Sequence, residues 1–133
     1  MAESSAQSKL LAGVAASGRR KAVLSNKRHD FSVKLVEKLF GKGTFVAIRG
    51  EREGVPRKPD PTAALELALE LDVLPARIGF VGDTAIDMRT AGNAGMVPLG
   101  VLWGFRTREE LLGAGARQVF ATPAELLRAI TGA

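Results

Sequence analysis

Two aspartates four residues apart, Asp83 and Asp87, follow an apolar run, Ile78-Gly79-Phe80-Val81, that stops at Gly82. That pattern predicts a buried strand that delivers a carboxylate to the end of a sheet, with a helix starting at once. Set at a strand end and in a first helical turn, the two acids converge on one point. Converging carboxylates repel unless something positive lies between them, and a hard, oxygen-seeking divalent cation such as Mg²⁺ answers that need. The same residues also fit a plain helix start, with Asp83 as cap and Asp87 favoured by the helix dipole. This stretch alone leaves both readings open. Two further stations bear on the choice. Ser25-Asn26 closes the apolar run Lys21-Ala22-Val23-Leu24, and Lys58 sits in Arg57-Lys58-Pro59-Asp60-Pro61. A hydroxyl, backbone N–H groups and an ammonium suit phosphate oxygens. Phosphoryl transfer depends mostly on positioning and charge stabilisation, which these residue types supply. Taken singly, Ser25 reads as a strand-end turn residue and Lys58 as a solvated lysine. His29 carries no assigned role, and Trp103 reads as a packed ring.

The elements that must position these stations alternate along the chain. Helical spacing of Leu10, Leu11, Val14 and Ala15 predicts a helix over Ser4 to Ser17, stopped by Gly18. A strand over Lys21–Ser25 precedes a helix from His29 to Phe40 with Phe31, Leu35 and Leu39 on its apolar face, ended by Gly41-Lys42-Gly43. Phe45–Ile48 reads as a further strand. Asp60 as cap and Pro61 as first residue open a helix to about Leu71. After the strand at Ile78 and the helix after Gly82 come a strand over Val97–Val101 and a short helix with a Thr107/Glu110 capping box. Arg117–Ala121 is a last short strand, and Thr122-Pro123 starts a closing helix. Strands alternating with helices predict parallel strands with right-handed crossovers, an α/β doubly wound sheet. Ligands in such sheets bind at the carboxyl ends of the strands, where the three polar stations fall.

Bulk composition narrows the function. At 133 residues, residues 1–133 are expected to form one domain. Hydrophobic content of 46% and charged content of 25% are ordinary for a globular protein. The absence of cysteine excludes disulfides, thiolate metal sites and a Cys nucleophile, and fits a reducing compartment. No membrane span and no signal pattern are legible, so the expected location is cytoplasmic. The net charge of +5 is spread along the chain, and with 5% aromatic residues and no Tyr base stacking is poorly served. A small phosphorylated ligand fits this balance better than nucleic acid.

In order and spacing, Ser25-Asn26-Lys27, then Arg57-Lys58-Pro59-Asp60-Pro61, then Val81-Gly82-Asp83-Thr84-Ala85-Ile86-Asp87-Met88 resemble motifs two, three and four of the haloacid dehalogenase-like (HAD) hydrolases. The tail, Gly100-Val101-Leu102-Trp103-Gly104-Phe105 with Thr122-Pro123-Ala124-Glu125-Leu126-Leu127, is similar to the phosphoglycolate phosphatase branch. The resemblance implies a Rossmann-like HAD core and a Mg²⁺-dependent phosphomonoesterase acting on 2-phosphoglycolate or a similar small substrate. Ser25 and Asn26 would bind the transferring phosphoryl group, and Lys58 would stabilise its charge. Asp83 and Asp87 would ligate Mg²⁺, and Gly82 and Thr84 would shape the acidic loop. The first motif of that family, Asp-x-Asp-x-Thr, has no counterpart: the aspartates are Asp30, Asp60, Asp72, Asp83 and Asp87, and no two are two apart. The central first strand that carries it and the substrate-choosing cap domain are likewise expected to be missing. The strands ending at Ser25 and Gly82 must then pair directly or leave exposed edges that recruit another chain, a second copy included. Without the aspartate nucleophile the isolated chain is expected to be inactive. The alternative is a non-catalytic module that holds phosphate or a phosphorylated partner. A response-regulator receiver also combines an α/β fold with acids and a lysine, but puts its acidic pair after the first strand, where this chain has Ser25-Asn26.

Overall fold

The computed structural model describes residues 5–40, 43 and 45–132. The expected helix stop at Gly41-Lys42 falls outside them, as do the side chains of Leu11, Phe31 and Leu39. Twelve elements follow one another: α1 (Ser5–Ala16), β1 (Ala22–Arg28), α2 (His29–Phe40), β2 (Ala47–Glu51), α3 (Thr62–Leu71), a 3-10 turn (Pro75–Arg77), β3 (Gly79–Gly82), α4 (Ala85–Asn93), β4 (Val97–Val101), α5 (Arg108–Gly113), β5 (Gln118–Phe120) and α6 (Pro123–Thr131). The α/β alternation and the parallel pairing are as the sequence predicts. The strands form two parallel sheets, one of β1 and β2 and one of β3, β4 and β5 in that order. Of the two outcomes expected for the strands ending at Ser25 and Gly82, direct pairing is not seen: among the described residues β1 and β3 do not pair.

Side-chain alternation along the strands defines the layers. On β3, Phe80 packs with α3 and α4 on Ala64, Ala68, Ala91, Ala94 and Met96. On β4, Gly100 admits Leu111 of α5, while Leu99 and Val101 point to the other face and pack with Leu126 of α6 and Leu10 of α1. Helices α3, α4 and α5 therefore cover one face and α1 and α6 the other. Helix α3 faces the sheets because Ala63, Ala64, Leu67, Ala68 and Leu71 recur at helical spacing and are all buried. It also reaches back to the smaller sheet, where Arg52 pairs with Glu66 at 2.5 Å and Arg49 pairs with Glu70. Gly13 lets α1 lie against Leu127 of α6, where a Cβ would stand 2.7 Å from the leucine methyls.

Several boundaries differ from the sequence expectation. Strand β1 does not stop at Ser25 but continues through Asn26, Lys27 and Arg28. Its ladder with β2 is regular from Ala22 to Leu24 and then shifts before Arg28 meets Glu51, so Ser25 and Asn26 occupy an irregular stretch. Strand β2 begins at Ala47 rather than Phe45 and includes Gly50, which sits so close to Lys27 O and His29 Cα that no Cβ fits. Asp60 does not cap α3 directly. Pro61 holds that position, while Asp60 Oδ1 accepts from Thr62 N–H (2.9 Å) and Thr62 Oγ1 (2.6 Å). These bonds, the hydroxyl first and the N–H second, hold the Asp60 carboxyl below its ordinary value. At Thr107 the N-cap expectation is met, its hydroxyl accepting from Glu110 N–H at 3.2 Å. His29 accepts from Gly50 N–H at 3.1 Å through Nδ1 and so ties α2 to β2. Trp103 packs against Val101, Phe120 and Leu126, as a packed ring should.

Candidate active site

The acidic loop is built locally. Thr84 caps α4: its hydroxyl accepts from Asp87 N–H (3.2 Å) and donates to Asp87 Oδ2 (2.9 Å). The reading of Asp83 as the helix cap therefore fails, because Thr84 takes that role and leaves the Asp83 carboxylate at the strand end. Gly82 is buried, and a Cβ there would collide with the Asp87 side chain. Gly104, in the loop after β4, comes equally close to Asp83. The two acids are thus seated by glycines on different sides of the loop. The family resemblance anticipated Gly82 and Thr84; nothing in the sequence singled out Gly104, whose role depends on β3 and β4 lying side by side.

Lys58 comes to this loop from the segment between β2 and α3. Its Nζ donates to Asp87 Oδ1 at 2.7 Å, with both side chains close to nine-tenths buried. Two contacts set the backbone that carries it. Lys58 N–H donates to Asn26 Oδ1 at 3.1 Å, and Asn93 Nδ2, at the end of α4, donates to Pro59 O at 2.9 Å. The Lys58-Pro59 peptide is cis. Asn93 had no sequence signal, since its partner lies 34 residues away. Ser25 Oγ accepts from Lys27 N–H at 3.0 Å, which leaves its hydroxyl hydrogen for another acceptor. Ser25, Asn26, Lys58, Asp83 and Asp87 all line one cleft of about 1360 Å³ between the two sheets. The three stations, far apart in sequence, meet at one rim.

This rim can do definite chemistry. An ammonium has three N–H donors, and Asp87 occupies one, so Lys58 can still donate two toward anionic oxygens. Ser25 contributes a hydroxyl donor, and the Asn26 amide that holds Lys58 also carries an NH₂ group. Asp83 and Asp87 are oxygen donors of the kind a hard cation takes, but both Asp87 oxygens already have partners. Among the described residues no group of three or more His, Cys, Asp or Glu gathers where it could hold a metal ion. Two carboxylates fall short of the six-oxygen shell Mg²⁺ demands, so these residues fit only part of a Mg²⁺ site.

Comparison with known proteins agrees with the fold and the family resemblance. The profile of the haloacid dehalogenase-like hydrolases matches residues 3–101, and the chain belongs to that family. Curated relatives include phosphoglycolate phosphatases. It is 33% identical over 89 residues to the one from Xylella fastidiosa (66% of this chain, 38% of the relative). It is 34% identical over 88 residues to that of Aquifex aeolicus (66% and 41%). Among solved structures, a candidate phosphoglycolate phosphatase from Lactobacillus delbrueckii superposes with a TM-score of 0.90 at 35% identity, over 97% of this chain and 54% of that one. A candidate β-phosphoglucomutase from Thermotoga maritima (TM-score 0.85, 21% identity, 98% of this chain and 60% of that one) shares the fold. The resemblance read from the sequence is thus correct in family and in branch. The chain spans about two-fifths of the length of these curated relatives. Among the described residues no helix is long and apolar enough to cross a membrane.

Proposed function

We propose that the rim formed by Ser25, Asn26, Lys58, Asp83 and Asp87 is the phosphate-handling part of a Mg²⁺-dependent phosphomonoesterase acting on a small phosphorylated acid of the 2-phosphoglycolate type. The observation that carries this reading is the Lys58–Asp87 contact at 2.7 Å, with Asn26 fixing the Lys58 backbone. It brings three sequence-distant stations to one point. In this reading Ser25 and Asn26 orient the phosphoryl oxygens. Lys58 donates to them and offsets charge as it builds, while Asp87 and Thr84 keep the ammonium aimed at the rim. Asp83, with Asp87, supplies the carboxylates of a Mg²⁺ site whose remaining oxygens come from substrate, water or other protein groups. When bound, the cation neutralises phosphate charge. No side chain on this rim is an activated carboxylate nucleophile, so residues 1–133 alone bind phosphate without turning over ester.

NMR titration of the chain with inorganic phosphate, with and without Mg²⁺, tests this. Phosphate should shift the amides of Ser25, Asn26 and Lys58, and Mg²⁺ should shift those of Asp83 and Thr84 and tighten phosphate binding. Lys58→Ala should abolish the phosphate shifts and Asp83→Asn the Mg²⁺ response. Shifts confined to Lys27, Arg28 and Lys34, or phosphate binding indifferent to Mg²⁺, would overturn the assignment. The second reading, a non-catalytic phosphate-binding module, is favoured by both Asp87 oxygens already having protein partners. It predicts the same shifts, but no 2-phosphoglycolate hydrolysis even in a longer chain that includes this one.

A further inference from the structure

Lys58 belongs to the stretch between β2 and α3, residues 52–61, which contains no helix or strand. The backbone bonds within that stretch close only tight turns, from Val55 N–H to Arg52 O and from Asp60 N–H to Arg57 O. A lysine also carries its ammonium on a flexible four-carbon stem, so one contact at Nζ leaves the backbone behind it free to drift. Where the ammonium stands relative to Asp83 and Asp87 is therefore decided by what grips residues 58 and 59 from outside. One grip is Asn26, in the irregular part of β1. The other is Asn93, the last residue of α4, the helix that carries Asp87 in its first turn and keeps Met88 and Ala91 out of solvent.

The Asn93 side chain takes no part in closing its own helix. That end is closed by backbone alone: Ala94, Gly95 and Met96 N–H donate to Thr90, Gly92 and Ala91 carbonyls. The Asn93 amide instead donates across to Pro59 O at 2.9 Å, at an exposed position. An exposed hydrogen bond adds little to stability, so its consequence is geometric. We propose that Asn93 is a positioning residue for Lys58: by tying Pro59 O to the far end of α4, it registers the lysine against the helix that carries Asp87. Asp87 and Asn93 stand six residues apart, about 9 Å along the helix axis. Held at both points, the 58–59 pair cannot pivot about Nζ, and the ammonium keeps its place beside the acids. A donor displaced by about 1 Å loses much of its value to a bound anion. The consequence for phosphate rests on the reading above; the registration of Lys58 does not.

The test compares the chain with its Asn93→Ala and Asn93→Gln variants by amide hydrogen exchange, titration with inorganic phosphate in the presence of Mg²⁺, and chemical denaturation. Asn93→Ala should unfold at the parent's midpoint and lose about tenfold of the protection at the Lys58 amide, with the amides of β4 and β5 unchanged. Its phosphate affinity should fall about fivefold. Asn93→Gln, which keeps an NH₂ donor, should recover most of both losses. Unchanged Lys58 protection in Asn93→Ala would overturn the proposal, as would phosphate affinity kept while that protection is lost. So would a glutamine variant no better than the alanine one, or a lowered midpoint with protection lost throughout α4 and β4, since Asn93 would then merely hold the helix. A parent chain that binds no phosphate would end the phosphate reading, and the Lys58 amide would still decide this one.

Discussion

The two sheets are built from similar material and are buried very differently. Around β3, β4 and β5, three clusters close on residues such as Met88, Leu111 and Leu126, each nearly inaccessible to solvent. Around β1 and β2, Leu24 reaches one of those clusters only as a partly buried neighbour, and the described buried positions are few and mostly small, such as Ser32, Ala47 and Gly50. Strand β4 has a partner on each side, whereas β1 has one. Apolar residues on a strand are covered only when its neighbours and both helix layers are in place, so the lesson of the comparison is that composition does not set burial; a strand's position in the sheet does. The proposed phosphate rim lies between the two regions, held by the firmer one through Asp87 and by the weaker one through Asn26.

Four perturbations break or sharpen this contrast. The largest effect is expected from Leu111→Ala, which empties a closed site in the firmer half. Chemical denaturation should show a loss of about 2–5 kcal/mol, while Val23→Ala on half-buried β1 should show clearly less. Equal losses would mean the two halves are packed alike. Next is Lys58→Ala, which leaves the Asp87 carboxylate buried without its ammonium, at a cost of about 3 kcal/mol. Adding Asp87→Asn to that variant should recover part of the loss in the same denaturation assay. Thr84→Ala removes the α4 cap and should cost about 1 kcal/mol. The smallest effect belongs to Asp60. Its carboxyl lies below its ordinary value in the fold, so its contribution is present above the unfolded value and fades as pH falls through the folded one. The stability difference between the parent chain and Asp60→Asn should therefore shrink on acidification from about pH 5 to about pH 2.

What could be read in the sequence was what neighbouring residues decide. Short apolar runs and helical spacing located the strands and helices, and Thr107 marked its cap in advance. The order of Ser25-Asn26, Lys58, Asp83 and Asp87 named the family and the rim. Boundaries drifted where a distant partner prevailed: β1 ran past Ser25 because Arg28 regains Glu51 after the shift, and β2 began late and went on through Gly50, fastened to His29.

The sequence by itself determined the alternation of elements, their parallel pairing and the residue types at the rim, because each follows from spacing along a few turns or from a strand's end. Only the tertiary structure decided that Lys58 would clasp Asp87 across 29 residues, that Asn93 would hold Pro59, that Gly104 would lie under Asp83, and that β1 and β3 would stand apart with a cleft between them. Those contacts depend on how the crossovers bring remote segments together, and no local pattern of side chains encodes that distance.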